Sequence, residues 1–258
     1  MTTAFERRDL IRELVDQQER VTVAALAERF GVTGTSIRRD LHLIEEQGRL
    51  KRVHGGAVAM PRSLRLGVNV AKARKHLPEK RRIAAAAAAL VAPGNVVLFD
   101  SGTTVAQTAA QIARGLRVTN AITAVTHSLL VIEEIGAWPE MQLVCLGGLY
   151  LPDYQAFVGP QTLTSLRELS ADIVFLGCDG LTVEQGITTP HVLVAEVGAM
   201  MASRARRVVA LADSSKLGRS GFTPIIPLNS VDLLITDDAA DPENVARIRK
   251  AGCEVLLA

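Results

Sequence analysis

The sequence predicts an α/β protein of two domains: a small helical domain with a β-ribbon, followed by a larger domain built on a mostly parallel sheet. Helical periodicity dominates the N-terminal part, whereas strand and helix patterns alternate after residue 83. Hydrophobic residues make up 48% of the chain and aromatic residues 3%, which predicts a core mainly of Ala, Val, Leu and Ile. The predicted boundaries are 1–58 for the first domain, 59–82 for a basic linker and 83–258 for the second domain.

Composition and charge exclude several classes of protein. Charged residues make up 22% of the chain with a net charge of +2, which argues against global disorder. No window approaches the roughly 18 uninterrupted apolar residues of a membrane span, and the N-terminal segment lacks an apolar signal core, so a cytoplasmic location is expected. The cysteines Cys145, Cys178 and Cys253 are far apart and are expected to be reduced. Neither they nor the histidines have metal-ligand spacing, and no cofactor is predicted.

The N-terminal domain has the pattern of a helix-turn-helix. A first helix is predicted over 5–18, and a second runs from its N-cap Thr22 to about Phe30, where Gly31 ends it. Thr33 caps a third helix that closes at Gly48. The segment RLKRVHGGAV after it alternates like a short two-stranded ribbon, which predicts a wing.

Hydroxyl and guanidinium groups near the start of the third helix suit base edges and phosphates in a major groove. The candidate DNA contacts on this helix are Thr33, Thr35, Ser36, Arg38 and Arg39. The candidate contacts on the ribbon are Arg49, Lys51, Arg52 and His54. The alternative is a three-helix bundle with a charged surface, which the ribbon makes less attractive.

Charge is distributed unevenly along the chain. The linker 59–82 carries eight Lys or Arg residues against one Glu, a net of +7, whereas residues 83–258 carry a net of −6. A basic N-terminal part and an acidic C-terminal part predict that the N-terminal part binds an anionic partner. The linker either adds attraction for DNA phosphates or serves only as a soluble tether, and it leads to a helix that starts at Pro78.

Small and polar residues follow five predicted strands of the second domain. Ligands of open parallel sheets bind beyond the carboxyl ends of the strands, so these residues are candidates for an effector site. The candidates at the strand ends are Asp100, Gly102, Thr103, Thr104, Thr126, His127, Ser128, Gly147, Gly148, Asp179 and Lys216. The SGTT segment offers backbone N–H groups to a phosphate, Lys216 offers a cation, and Asp100 and Asp179 can accept from sugar hydroxyls. The alternative for each Asp or Ser is a helix cap, and for His127 a plain loop residue.

Two sets of motifs resemble the DeoR family of bacterial transcription regulators over nearly the whole chain. SIRRDL and RVHGGA resemble its N-terminal domain; FDSGTT, AVTHS, LGG, FVGP, GCDG and DSSKLG resemble its sensor domain. The resemblance implies a winged helix-turn-helix that reads operator DNA, and a mostly parallel α/β sensor domain similar to ribose-5-phosphate isomerase that senses a phosphorylated sugar or related metabolite. Glu196, on a long helix that also matches, joins the candidate effector-binding residues. Two departures are Gly34 in the first turn of the third helix and His127, where the family commonly has Asn.

These observations predict a ligand-responsive transcription regulator: a homo-oligomeric repressor of a sugar or polyol catabolic operon that binds double-stranded operator DNA and is not an enzyme. The main alternative is a sugar-phosphate isomerase with a DNA-binding appendage, with Glu196 as base and Lys216 as cation. Against it, LTVEQGITTPH has no Lys, and Asp179 is followed by Gly-Leu instead of a second carboxylate. A chromatin-like protein without an effector explains the basic linker but leaves the polar strand ends unexplained.

Overall fold

The structure is a computed structural model. It describes residues 20–46, 50–53, 55–59, 75–118, 121–136 and 142–258, together with Arg7, Arg8, Leu10, Ile11, Leu14, Val15, Gln18 and Trp138. Internal contacts divide the chain into two units, Met1–Lys75 and His76–Ala258. The predicted DNA contacts Arg49 and His54 and most of the predicted linker lie outside the described residues.

The first unit is a helix-turn-helix with a small antiparallel sheet. The described residues between Arg7 and Gln18 are helical, as predicted. The elements that follow are β1 (Arg20–Thr22), α1 (Val23–Phe30), α2 (Gly34–Glu46), β2 (Leu50–Val53) and β3 (Gly56–Ala59). The sequence did not predict β1, which pairs with β3 and completes a sheet in the order β1-β3-β2.

Capping and packing explain the helices of the first unit. The Thr22 hydroxyl accepts from the Ala25 amide at 3.2 Å, and Gly31 ends α1 in the left-handed conformation with φ 63°. The Ser36 amide donates to the Thr33 hydroxyl at 3.3 Å, so both predicted caps are confirmed. On α2, one stripe of apolar side chains is completely or almost completely buried. That stripe consists of Ile37, Leu41 and Ile44.

The second unit alternates strands and helices around a seven-stranded sheet. Its helices are α3 (Leu77–Ala88), α4 (Thr103–Gln111), α5 (Arg114–Val118), α6 (Leu129–Ile135), α7 (Pro160–Arg167), α8 (Val192–Arg204) and α9 (Pro242–Lys250). Its strands are β4 (Val96–Phe99), β5 (Thr123–Thr126), β6 (Gln142–Cys145), β7 (Leu149–Leu151), β8 (Ala156–Val158), β9 (Ala171–Gly177), β10 (Gly180–Thr182), β11 (Gly186–Thr189), β12 (Ala205–Leu211), β13 (Thr223–Ile226), β14 (Leu233–Thr236) and β15 (Glu254–Leu257).

The seven-stranded sheet is parallel throughout, and its strand order reverses once. The order is β15-β14-β12-β9-β4-β5-β6. Strands β5 and β6 extend from β4 to one edge of the sheet, and β9, β12, β14 and β15 extend from the other side of β4 to the opposite edge. Such a reversal leaves a crevice beyond the carboxyl ends of the two central strands. Strands β4 and β9 flank that crevice, which places the residues after them at its centre.

Helices cover both faces of the sheet. Along β4, Val97 and Phe99 pack in one buried cluster with Ile83 of α3, while Leu98 packs on the opposite face in a second cluster that contains Met201 of α8. Each face therefore has its own apolar layer, as expected for a parallel sheet. This packing holds the strand ends in fixed positions.

Several elements differ from the sequence-based prediction. The sequence pattern predicts a helix over 107–114, whereas helix α4 begins at Thr103, directly after the SGTT turn. The hairpin of β7 and β8, the small sheet β10-β11-β13 and helix α7 were not predicted. Helix α3 starts at Leu77, so residues 77–82 of the predicted linker are helical, with Pro78 in the first turn.

Candidate functional site

Asp100 lies at the centre of the crevice. It directly follows β4 and is 3% exposed. Its carboxylate accepts from the Gly177 amide at 3.1 Å, and its own amide donates to the Phe175 carbonyl at 3.1 Å. Gly177 ends β9, so Asp100 joins the two strands at which the sheet order reverses.

His127 is completely buried beside Asp100, and both nitrogens of its ring face protein acceptors. Nδ1 lies 2.7 Å from the Phe157 carbonyl oxygen, and Nε2 lies 2.9 Å from Oδ1 of Asp100. The ring therefore links the end of β5 to the end of β4 and to β8. In this arrangement His127 holds Asp100 and has no ring nitrogen left for a ligand.

Thr126 and Ser128 flank this histidine and are also buried. The Thr126 hydroxyl donates to the Phe99 carbonyl at 2.7 Å and accepts from the Ser128 amide at 3.1 Å. Thr126 therefore fixes the turn after β5. Among the described residues, the Ser128 hydroxyl has no hydrogen-bond partner.

The SGTT turn presents the N-terminus of α4. Gly102 is the N-cap with φ 124°, a conformation that side chains rarely adopt, and it supplies no side-chain cap. Thr103 is half-buried and Thr104 is buried. The amides of the first turn thus lack a capping side chain at the positive end of the helix dipole, which is the arrangement that favours an anion.

Cys178 lies between Gly177, whose amide donates to the Asp100 carboxylate at 3.1 Å, and Asp179, so the ends of β4 and β9 meet at this residue. Burial raises the pKa of the Cys178 thiol to about 12, and the Asp179 carboxylate adds to this rise, with smaller additions from Asp213 and Asp100, whereas Lys216 opposes it. The thiol is therefore neutral. The predicted site residues Asp100, Asp179 and Lys216 all influence the pKa of the Cys178 thiol. The sequence analysis did not propose Cys178 as a site residue.

Asp179 is held by a short chain of hydroxyl groups. The Thr189 hydroxyl donates to the Asp179 carboxylate at 3.0 Å, and Tyr154 is hydrogen-bonded to Thr189. Burial raises the pKa of Tyr154; the Asp179 and Asp153 carboxylates add to the rise, and the bond to Thr189 opposes it. Tyr154 and Thr189 come from elements that the sequence did not predict, so neither was a candidate.

Lys216 projects from a 3₁₀ turn that two buried carboxylates shape. Asp213 accepts from the amide and the hydroxyl of Ser215, and Asp237, at the end of β14, accepts from the Ser214 amide at 2.6 Å. Lys216 itself is half-buried. Among the described residues, no carboxylate lies within ion-pair distance of its amine.

The structure does not bring three of the predicted effector residues into this cluster. At Gly148 an added Cβ would lie 2.3 Å from the Thr162 hydroxyl, so this glycine packs closely on α7. The same hydroxyl donates to the Gly147 carbonyl at 2.8 Å, whereas an added Cβ at Gly147 would meet nothing within 4 Å. Glu196 is exposed on α8. No hydrogen bond or ion pair between described residues joins Glu196 to the strand ends.

The candidate DNA surface is exposed on α2 and β2. Thr33, Thr35, Arg38 and Arg39 are exposed, and Ser36 is half-buried with its hydroxyl 3.1 Å from that of Thr33. Lys51 and Arg52 of β2 are also exposed.

Two carboxylates of the first unit already have cationic partners. Arg52 lies 3.0 Å from Glu45, and the buried Asp40 pairs with Arg7 at 2.7 Å. The cationic partner of Asp40 therefore lies 33 residues away along the chain.

The described part of the chain lacks two other kinds of feature. No helix there combines the length and apolar character that crossing a bilayer requires. No group of three or more His, Cys, Asp or Glu side chains there is placed to hold a metal ion.

Comparison with known proteins covers both units. Residues 7–62 match the family model of the DeoR-like helix-turn-helix domain, and residues 75–238 match that of the DeoR C-terminal sensor domain. The chain is 35% identical to the HTH-type transcriptional regulator GlpR of Haloferax volcanii, over 97% of this chain and 96% of that protein. It is 33% identical to a putative aga operon transcriptional repressor of Escherichia coli O157:H7, over 100% of this chain and 95% of that protein.

Among solved structures, the chain is similar to ribose 5-phosphate isomerase A from Methanocaldococcus jannaschii. The TM-score is 0.40 and the identity 19%, over 55% of this chain and 54% of that chain. The two family models and the curated relatives together show that this chain belongs to the DeoR family of transcriptional regulators.

Proposed function

We propose that this transcription regulator is a cytoplasmic repressor of a sugar or polyol catabolic operon, and that a phosphorylated sugar or related metabolite controls its binding to operator DNA. The observation that carries the proposal is the meeting of strand ends at the reversal of strand order, beside an uncapped helix N-terminus. Asp100 accepts there from Gly177 at the end of β9, Asp179 follows two residues later, and Lys216 precedes Leu217, which bridges to Leu181. The names of several relatives, including the putative aga operon repressor and the repressor GlcR, support this class of regulator.

On the DNA side, we assign base and phosphate contacts to the exposed face of α2. Arg38 and Arg39 suit guanine edges or phosphates, and the hydroxyls of Thr33, Thr35 and Ser36 suit phosphates near the positive end of the helix. From the ribbon, Lys51 and Arg52 would contact the phosphate backbone of the DNA. Arg49 and His54 stay predicted contacts. A homo-oligomer is proposed because paired winged domains read paired half-sites.

On the effector side, we assign the phosphate to the backbone amides that follow Gly102, with Thr103 and Thr104 lining the turn. Lys216 supplies a cation with no carboxylate partner among the described residues, and Asp179 accepts from a ligand hydroxyl. Asp100 lines the centre of the site, while Thr126 and Ser128 shape its wall. His127 acts through Asp100. Gly147, Gly148 and Glu196 stay predicted contacts, which the described hydrogen bonds and ion pairs do not link to the cluster.

A role without catalysis is favoured over the isomerase alternative. Proton transfer between carbons needs a base within hydrogen-bond reach of the substrate. Glu196 is exposed and lacks a link to the cluster, and the Cys178 thiol is neutral because of its raised pKa. Turnover of pentose or hexose phosphates that Glu196→Gln abolishes would contradict this part of the proposal.

The proposal is tested by Lys216→Ala. DNA affinity is measured by fluorescence anisotropy on a duplex that the wild-type chain selects from a random pool, with and without each member of a panel of sugar phosphates. We expect Lys216→Ala to bind this duplex normally but to lose the response to the phosphate that acts on the wild type. The matched control is Lys250→Ala, at the exposed end of α9. A normal response in Lys216→Ala would remove this residue from the site, and no response in the wild type would contradict the proposed effector class.

A further inference from the structure

The surroundings of His127 fix the proton on one side of its ring. Nδ1 lies 2.7 Å from the Phe157 carbonyl oxygen, and a carbonyl oxygen can only accept a hydrogen bond. At this distance two lone pairs would repel each other, so Nδ1 carries a hydrogen and donates it. The ring is completely buried, and hence no water can take the place of this partner.

The other side of the ring then requires a second proton. Nε2 lies 2.9 Å from Oδ1 of Asp100, whose Oδ2 already accepts from the Gly177 amide. An ionised carboxylate facing a bare ring nitrogen has no hydrogen between the two atoms. Either an imidazolium donates to the carboxylate, or a carboxylic acid donates to the neutral ring. In both cases the pair holds one proton more than an ionised Asp beside a neutral His, and its net charge is zero.

This proton changes the charge of the strand-end cluster. The neighbouring ionised groups that act on Cys178 together with Asp100 are Asp179, Asp213 and Lys216, and the thiol itself is neutral. Helix α4 has no ionisable side chain, and the β7–β8 hairpin contributes Asp153, Tyr150 and Tyr154. Without the shared proton, the four carboxylates at the strand ends, which include Asp237 at the end of β14, are accompanied by one amine. With it, three carboxylates remain beside that amine, which is a smaller barrier to an anion.

We propose that His127 is a positioning residue that keeps Asp100 in a neutral, proton-sharing pair and thereby fits this site to a doubly charged phosphate ester. The inference rests on the proposed function, because it concerns the same site.

The proton count is measured directly on the full chain. Nitrogen-15 NMR of the histidine rings, with His127 assigned from His127→Gln, reports which ring nitrogens are protonated near neutral pH. Carbon-13 NMR of the aspartate carboxyls, with Asp100 assigned from Asp100→Asn, reports the state of that carboxyl. We expect either a doubly protonated ring or a protonated Asp100. A neutral ring beside an ionised Asp100 would overturn the inference.

The consequence for binding is measured with inorganic phosphate as the probe, above about pH 7, where its second pKa of about 6 leaves it largely a dianion. Gln keeps an amide donor toward Asp100 but cannot hold the extra proton. We expect His127→Gln to bind phosphate roughly tenfold more weakly, as one added negative charge nearby implies. We also expect the double variant with Asp100→Asn to recover the affinity, because it removes that charge. His42→Gln, on exposed α2, is the matched control.

The outcomes separate this inference from the proposed function. Equal phosphate affinity in His127→Gln and the wild type, or no recovery in the double variant, would contradict a role in charge. If the wild type binds no phosphate, the proposed effector class fails, while the NMR proton count still decides the state of the pair. If His127→Gln does not fold, the wild-type spectrum decides in the same way.

Discussion

At the scale of single residues, the two units place charged side chains in different environments. On α2, the guanidinium groups of Arg38 and Arg39 are exposed and can reach an external partner. At the strand ends, Asp100, Asp213 and Asp237 are buried and most of their bonds go to backbone amides or to His127. These buried carboxylates therefore shape the strand ends, whereas the exposed arginines are available for binding.

Arg38→Ala tests the recognition surface. Because one good contact between an Arg and a base is worth about 1–3 kcal/mol, we expect operator affinity to fall by about that amount while phosphate binding stays unchanged. Anisotropy on the selected duplex measures the change. The matched control is Arg206→Ala, whose side chain is 86% exposed in the second unit. Unchanged operator affinity in Arg38→Ala would place the recognition surface elsewhere.

Cys178 tests the electrostatics of the effector site. With a pKa raised to about 12, only about one thiol in ten thousand is ionised at pH 8, so alkylation by iodoacetamide should be at least roughly a hundredfold slower than in the urea-unfolded chain. Mass spectrometry of labelled peptides measures the rate, with the exposed Cys145 as the internal control. Labelling of Cys178 as fast as Cys145 would contradict the partly buried, carboxylate-lined environment.

The same pKa shift has a consequence for stability. A thiol that ionises near 9 when unfolded but near 12 when folded destabilises the folded state progressively as the pH rises through that interval. Below pH 9 the thiol is protonated in both states and contributes no pH dependence. Cys178→Ala should therefore lose less stability than the wild type between about pH 9 and 12.

At the scale of secondary-structure elements, the sequence predicted what its periodicity and length could show. The core strands are runs of Val, Ile, Leu and Phe that end at polar residues. The apolar runs predict strands at Leu233–Thr236 and Glu254–Leu257, which are the bounds of β14 and β15. The missed strands β7 and β10 have three residues each, too few to show a period of two. Their formation depends on pairing with distant segments.

The same limit applies to the candidate site. Asp100, Asp179 and Lys216 could be predicted because parallel strands end at one edge of a sheet. Tyr154 and Thr189 could not, because they reach Asp179 from the missed hairpins. The bond between His127 and Asp100 spans 27 residues and carries no local signal.

Two glycines of the first unit are expected to respond oppositely to Ala. At Gly34 an added Cβ meets Val23 at 3.4 Å, an ordinary contact, so Gly34→Ala should stabilise α2 by up to about 1 kcal/mol. At Gly56 it would lie 2.0 Å from the Val21 carbonyl oxygen, so Gly56→Ala should disrupt the pairing of β1 with β3. Amide hydrogen exchange on α2 and on the ribbon measures both effects. Destabilisation of α2 by Gly34→Ala would contradict this packing.

At the scale of the whole molecule, each unit has its own hydrophobic core. The described core residues of the first unit lie between Ile11 and Ala57, and those of the second begin at Ile83. A fragment of residues 76–258 is therefore expected to fold and to bind inorganic phosphate as tightly as the full chain without DNA. Circular dichroism and calorimetry measure both properties. An unfolded fragment would show that the second unit depends on the first.

Coupling between the two units is where regulation would arise, and thermodynamics fixes its form. If a saturating sugar phosphate changes operator affinity by some factor, saturating operator must change the affinity for that phosphate by the same factor. Measured at one salt concentration, because DNA binding depends steeply on salt, the two factors should agree in the wild type. The fragment of residues 76–258 lacks α2, so its affinity for the phosphate should be the same with and without the duplex. A fragment that still responds to DNA would mean that the second unit itself contacts the duplex, and the division of labour between the units would then be wrong.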